Sequence, residues 1–223
     1  MKLVHPEWEK QIVFDFKRVP LVSIENSTYY YQVVEELYQQ TEGKEGAFVL
    51  SDDGEILDFR KHVQLLVSPW TMDFSTTAVT KRLCNRLQEE ANSEQHYMQT
   101  KEVMQHVLSY LQELEQELPI PLTYDWNPDV ANLFKAVHVQ VDTSDLNVME
   151  KMIEYMKLWT ELFGKTCFIF NQFRTYLPKS MRKEFYTCSM EEEIPFLLLE
   201  GACHDTIEEE SCLIIDEDLC QIF

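Results

Sequence analysis

Gly164-Lys165-Thr166 and Leu213-Ile214-Ile215-Asp216-Glu217 have the residue types of an ATPase: the tail of a phosphate loop and an acid-ended metal strand. The spacing does not support that chemistry. A phosphate loop has a glycine five residues ahead of its Gly-Lys pair, and here that place is Trp159. The loop must also run from a strand into a helix, so that backbone amides face the phosphate. The apolar pattern predicts the opposite order, helix, Gly-Lys-Thr, strand. The chain has only five glycines, so no other segment can cradle a phosphate. Cys203-His204-Asp205 are consecutive, which is not how a nucleophile, its base and an orienting acid converge in space. His5, His62, His96, His106, His138 and His204 are scattered and form no ligand pair. No constellation supports catalysis.

Charge is the stronger signal. Lys81, Arg82 and Arg86 form a basic trio, with Arg82 and Arg86 at i,i+4 spacing on one helix face. Solvation, or pairing with Glu89 and Glu90, is the bland account of them. Glu113, Glu115, Glu117, Asp125 and Asp129 flank Pro119 and Pro121, and Asp142 and Asp145 follow. Hard cations take such oxygens from loops and element ends, although the spacing matches no EF-hand. With 39 acidic against 19 basic residues the net charge is -20, which excludes wrapping a whole surface on nucleic acid. A local basic patch, a basic partner or plain solubility stay open.

These groups need a scaffold. The chain has 223 residues, 45% of them hydrophobic, enough for one medium domain or two small ones. Its six cysteines contain no CxxC and several lie in apolar runs, so they read as reduced thiols. No apolar leader and no membrane-length run is present, so a cytoplasmic location with no membrane contact is expected. Residues 11–24 read as two strands around Arg18–Pro20. Asn26 or Ser27 caps a helix carrying Tyr30, Val33, Val34, Leu37 and Tyr38. AFVLS, ILDF and HVQLLVS read as strands. A helix capped by Asp73, Ser75 or Thr76 carries Val79, Leu83 and Leu87. EEANSEQ breaks it. A second helix over 97–118 carries a seam of Tyr97, Met104, Leu111 and Leu118, with Val107 and Leu114 between, until Pro119 stops it. A short helix with Leu133 and Phe134 precedes a strand at 137–141. Thr143-Ser144-Asp145 caps a helix that ends at Gly164. TCFIF, a helix from Pro178 to Cys188, IPFLLLE and CLII complete an α/β pattern with a parallel sheet. The sheet domain is expected over 1–68 and 136–223, and an inserted helical arm over 69–135.

DFSTTAVTK, LEQEL, NLFKAVHVQVDTSD, MEKMIEYMKLWTELFGKTCFIFN, IPFLLLE and IIDEDL, in that order, resemble the CRISPR-associated Csn-two family, an accessory of spacer acquisition in antiviral defence. The resemblance implies an ATPase-head-like α/β domain without a nucleotide site and an extended helical arm. It implies a non-enzymatic homotetrameric ring whose basic inner wall holds double-stranded DNA at linear ends, stabilised by Ca2+. The adaptation integrase and the effector nuclease are the implied partners. Lys81, Lys135, Lys151 and Lys165 match family lysines, and Lys81 with Arg82 and Arg86 is the expected channel wall. The sequence departs where a family lysine is Gln140 and where a Lys-rich turn is reduced to Gly164-Lys165. Glu117, Asp125 and Asp145 align with family calcium ligands, with Asp129 and Asp142 as helpers. The alternative is an acidic scaffold that binds other adaptation proteins.

Overall fold

The computed structural model describes residues 1–202 and 206–223, so Cys203-His204-Asp205 lie outside the described residues. The chain forms two compact units: a head of Met1–Asp73 with Thr143–Phe223, and an arm of Phe74–Asp142. The fold is mixed α/β. The head contains β1 (Lys2–Val4), β2 (Ile12–Val13), β3 (Val19–Ile24), α1 (Ser27–Thr41), β4 (Val49–Asp52), β5 (Glu55–Ile56), α2 (Phe59–His62) and β6 (Val63–Leu66) before the arm. The arm consists of α3 (Thr77–Ala91), α4 (Tyr97–Glu115) and α5 (Val130–Ala136). The head resumes with α6 (Val148–Phe163), β7 (Cys167–Asn171), α7 (Lys179–Glu191), β8 (Phe196–Glu200), β9 (Glu210–Ile215) and β10 (Gln221–Ile222).

The main sheet has the order β10-β9-β3-β8-β7-β6, and the four strand pairs from β9 to β6 are parallel. Buried on both faces, its strands are continuous apolar runs such as Phe196-Leu197-Leu198-Leu199. A small antiparallel sheet, β2-β1-β4-β5, lies with α1 over one face. There Leu3, Trp8, Phe48 and Leu50 meet Val33 and Leu37 of α1 and Ile169, Leu197 and Leu213 of the main sheet. On the other face Phe170, Phe173, Phe185, Tyr186 and Phe196 form an aromatic cluster, with Phe173 and Phe185 centroids 4.9 Å apart.

Four local expectations are corrected. Pro20 lies inside β3 rather than in a turn. It pairs only with Ser211 of β9, because pairing with β8 begins at Leu21, so no amide is missed on the β8 side. No strand forms at 137–141: Val137 ends α5 and His138 takes a positive φ of 51°. The alternation of Val-His-Val-Gln-Val finds no neighbouring strand for its amides and carbonyls. Helix α6 is capped by Asn147 in a reciprocal capping box with Glu150, not by Thr143-Ser144-Asp145. Helix α4 ends at Glu115, and residues 116–118 tighten into i→i+3 turns before Pro119. The residue before a proline disfavours helical backbone.

Caps read from the sequence are in place elsewhere. Asn26 accepts from the Tyr29 N–H, Thr76 accepts from the Val79 N–H, and Gly164 ends α6 with a φ of 86°. No helix is long and apolar enough to cross a membrane among the described residues.

Candidate nucleic-acid interface

Helix α3 buries Val79 and Cys84 and packs on α5, which buries Val130 and Ala131. At about 100° per residue, this leaves the side of α3 opposite Leu83 and Leu87 to solvent. Lys81, Arg82 and Arg86 are all exposed, Lys81 and Arg82 on that side and Arg86 at the edge of the packed face. Arg86 pairs with Glu89 at 3.3 Å, and Glu90 faces His96 at 3.4 Å, which takes up two of the acids nearest the trio. Lys81 makes no ion pair among the described residues. Exposed Lys135, in the last turn of α5, belongs to the same unit.

The other two lysines belong to the head and stand apart. Lys151 lies in the first turn of α6 and Lys165 just beyond its end, roughly 20 Å along the helix axis. The Lys165 ammonium donates to Asp52 on β4 at 2.7 Å. That hydrogen bond holds the Asp52 carboxyl below the ordinary range and raises Lys165. Lys165 therefore ties the end of α6 to the small sheet. Gly164-Lys165-Thr166 sits between helix and strand in the order read from the sequence, with the Gly164 N–H donating back to the Thr160 carbonyl at 2.9 Å. Asp216 accepts from the N–H groups of Asp218 and Cys220 at 3.0 and 2.8 Å, which folds the acidic turn before β10.

Asp125, Asp129 and Glu115 are occupied locally. Asp129 Oδ1 accepts from Ala131 N–H at 2.9 Å, capping α5, and from Gln88 Nε2 at 2.8 Å. Asp125 Oδ1 accepts from Asn127 N–H at 2.9 Å. Glu115, which had only been counted among the acids, clasps the proline return: it accepts from Leu122 N–H at 2.7 Å and from the Tyr124 hydroxyl at 3.1 Å. Glu117 follows α4, Asp142 closes the arm and Asp145 belongs to the head. Among the described residues no group of three or more His, Cys, Asp or Glu side chains is placed to share a metal ion.

Two features extend the sequence reading. The first is an apolar stripe on α4, a helix with no buried residue. Val103, Val107, Tyr110 and Leu114 stand exposed at i, i+4, i+7 and i+11, with Leu111 beside them. Val107, Leu111 and Leu114 belong to the seam read from the sequence, and Val103 and Tyr110 widen it. The second is an ionic cluster under α7. The Arg174 guanidinium pairs with Glu210, whose carboxylate also accepts from the Tyr186 hydroxyl at 2.8 Å and Ile207 N–H at 3.0 Å. Arg174 N–H donates to Glu200 at 2.9 Å, and burial raises the Glu200 carboxyl. The signal available was a lone Glu ending the apolar run of β8.

A family model described as CRISPR-associated protein (Cas_Csn2) matches residues 40–219. No curated protein matches the sequence.

Proposed function

The chain belongs to the CRISPR-associated protein family Cas_Csn2, an accessory family of CRISPR adaptation, and on that premise we propose that it binds linear double-stranded DNA without catalysing a reaction. The exposed cations of α3 carry the proposal. In a chain of net charge -20, Lys81, Arg82 and Arg86 gather, all exposed, on one arm helix, where phosphates can reach them. Each cation that neutralises a phosphate releases condensed counterions, which favours binding and makes it salt-dependent. Lys135 extends the patch; Lys151 contributes from the head; Lys165 is held by Asp52.

Assembly belongs to the same reading. An apolar helix face of about three turns left in water favours association. We assign it to further copies of the chain, closing a homotetrameric ring that brings local positive charge inward. Calcium is the proposed stabilising ion, with Glu117, Asp125, Asp129, Asp142 and Asp145 as its candidate ligands and backbone or amide carbonyls completing the shell. The adaptation integrase and the effector nuclease are the proposed protein partners, in the cytoplasm. The second reading, an acidic scaffold with incidental DNA contact, is favoured by the net charge.

The test is a gel shift with linear and closed circular duplex, beside the mass in solution, for the wild type and for Lys81→Glu/Arg82→Glu/Arg86→Glu. The expected result is a shift of linear DNA that the variant loses while its assembly is unchanged. A wild type that ignores linear DNA with and without calcium overturns the proposal. Unchanged DNA binding in the variant favours the scaffold.

A further inference from the structure

Trp126 stands in the return loop of the arm with 64% of its surface exposed. Large aromatic side chains in a short ordered loop normally bury their rings. This indole instead borders two clefts. One, of about 450 Å³, is walled by Tyr97, Met104 and Leu108 of α4 and by Trp126 to Val130. The other, of about 640 Å³, is walled by Gln112, Glu115, Leu122 and Tyr124. The Tyr124 ring braces the indole with centroids 5.1 Å apart. The open surface therefore belongs to a supported ring.

The first cleft has a definite chemistry. Its floor is apolar, from Met104 and Leu108, and its rim carries the side-chain amides of Gln105 and Asn127. Neither amide makes a hydrogen bond among the described residues, and each offers both donors and an acceptor. Lys101 stands at the same rim, its ammonium 5.4 Å from the Tyr97 ring centroid. A flat ligand with an edge of donors and acceptors, attached to an anion, satisfies all three features at once. A purely apolar side chain would leave the amides unpaired, at a cost. The first cleft also holds the Asp129 carboxylate, but its Oδ1 is engaged by Gln88 and the Ala131 N–H and Lys101 stands at the same cleft; the second holds the Glu115 carboxylate and no cation.

We propose that Trp126 is a stacking platform for an unpaired nucleobase at a nucleic-acid end, with Gln105 and Asn127 reading the base edge and Lys101 holding its phosphate. Stacking on an aromatic side chain tolerates every base, since each has a π-face. The proposal rests on the DNA-binding reading above and deepens it from duplex to duplex end.

The experiment compares a blunt duplex with the same duplex carrying a short single-stranded extension, using the full chain as wild type, Trp126→Ala and Trp126→Phe. The chain has four tryptophans, so the difference in indole emission between wild type and Trp126→Phe reports on the ring. The expected result is an affinity for the extended duplex on the order of tenfold higher than for the blunt one. The preference vanishes in Trp126→Ala and survives largely in Trp126→Phe, the indole quench is lost in both, and blunt-duplex affinity is unchanged throughout. Equal affinity for both ends, or a preference kept by Trp126→Ala, overturns the inference while leaving duplex binding intact, and points to an aromatic side chain of a protein partner as the occupant. Failure to bind either duplex overturns the DNA reading and this inference together.

Discussion

Helix α6 of the head and helix α4 of the arm are written in the same amphipathic pattern and end differently. Over 16 residues α6 buries Met149, Met152, Ile153, Tyr155 and Met156. Over 19 residues α4 buries nothing. The head thus closes its own core on both faces of the main sheet, with Phe168, Leu197 and Leu198 fully buried. The arm keeps apolar surface and cations in water. An apolar period states that a face needs covering; it does not state what covers it. Stability therefore resides in the head, and the proposed binding in the arm.

The largest expected effect tests that division. Phe185→Ala, at the centre of the aromatic cluster, is expected to cost ~3–5 kcal/mol of folding stability in a denaturant titration. Val107→Ala on the α4 stripe is expected to cost under about 0.5 kcal/mol, as surface changes do, when measured on dissociated chains. Equal costs would mean that the stripe is covered within one chain, and the contrast between the two helices would fail.

Next, Lys81→Glu/Arg82→Glu/Arg86→Glu is expected to weaken linear-duplex binding by at least about tenfold at low salt, with helix content by circular dichroism unchanged. A smaller loss than that produced by Lys151→Glu would move the DNA path from the arm to the head.

Asn147→Ala removes the capping box of α6 and is expected to cost about 1 kcal/mol in thermal or denaturant unfolding, without changing DNA affinity. A change in affinity at unchanged stability would tie the start of α6 to binding.

The smallest effect concerns pH. Burial raises the Glu200 carboxyl above its ordinary 4.5 in the folded head. The folded chain then holds that proton more tightly than the unfolded chain does. Its contribution favours folding fully below 4.5 and is lost as pH rises through the folded value. Glu200→Gln keeps an acceptor for Arg174 N–H and removes the titration. Its stability relative to the wild type is expected to rise from acid toward neutral pH, and a flat difference would show that Arg174 and Arg182 fully offset the burial.

The head was legible where local and tertiary preferences agree. The strands TCFIF and IPFLLLE are doubly buried and need no alternation to be recognised, while CLII buries Leu213 and Ile215 on one face. Asn26, Thr76 and Gly164 sit where cap chemistry puts them. Legibility ended where a partner decides. Val137 to Val141 alternate like a strand but have no neighbour to pair with. Three plausible cap residues at 143–145 lost to Asn147 because only Asn147 has Glu150 three residues on to close the box. Within the candidate interface the basic trio was legible from i,i+4 spacing alone. The fate of Lys165 was not, because its partner Asp52 is remote in sequence. The same holds for Glu115, whose clasp on Leu122 and Tyr124 depends on how the proline return folds back.

The central claim is that phosphates are met by the exposed cations of α3. Its most direct measurement is the slope of log affinity for linear duplex against log salt, taken for the wild type and for Lys81→Glu/Arg82→Glu/Arg86→Glu. Three phosphate contacts account for a slope change of about 2.7 at ~0.9 per contact. The account predicts a steep negative slope in the wild type that becomes shallower by roughly that amount in the variant. A wild-type slope near zero, or one the variant leaves unchanged, contradicts it.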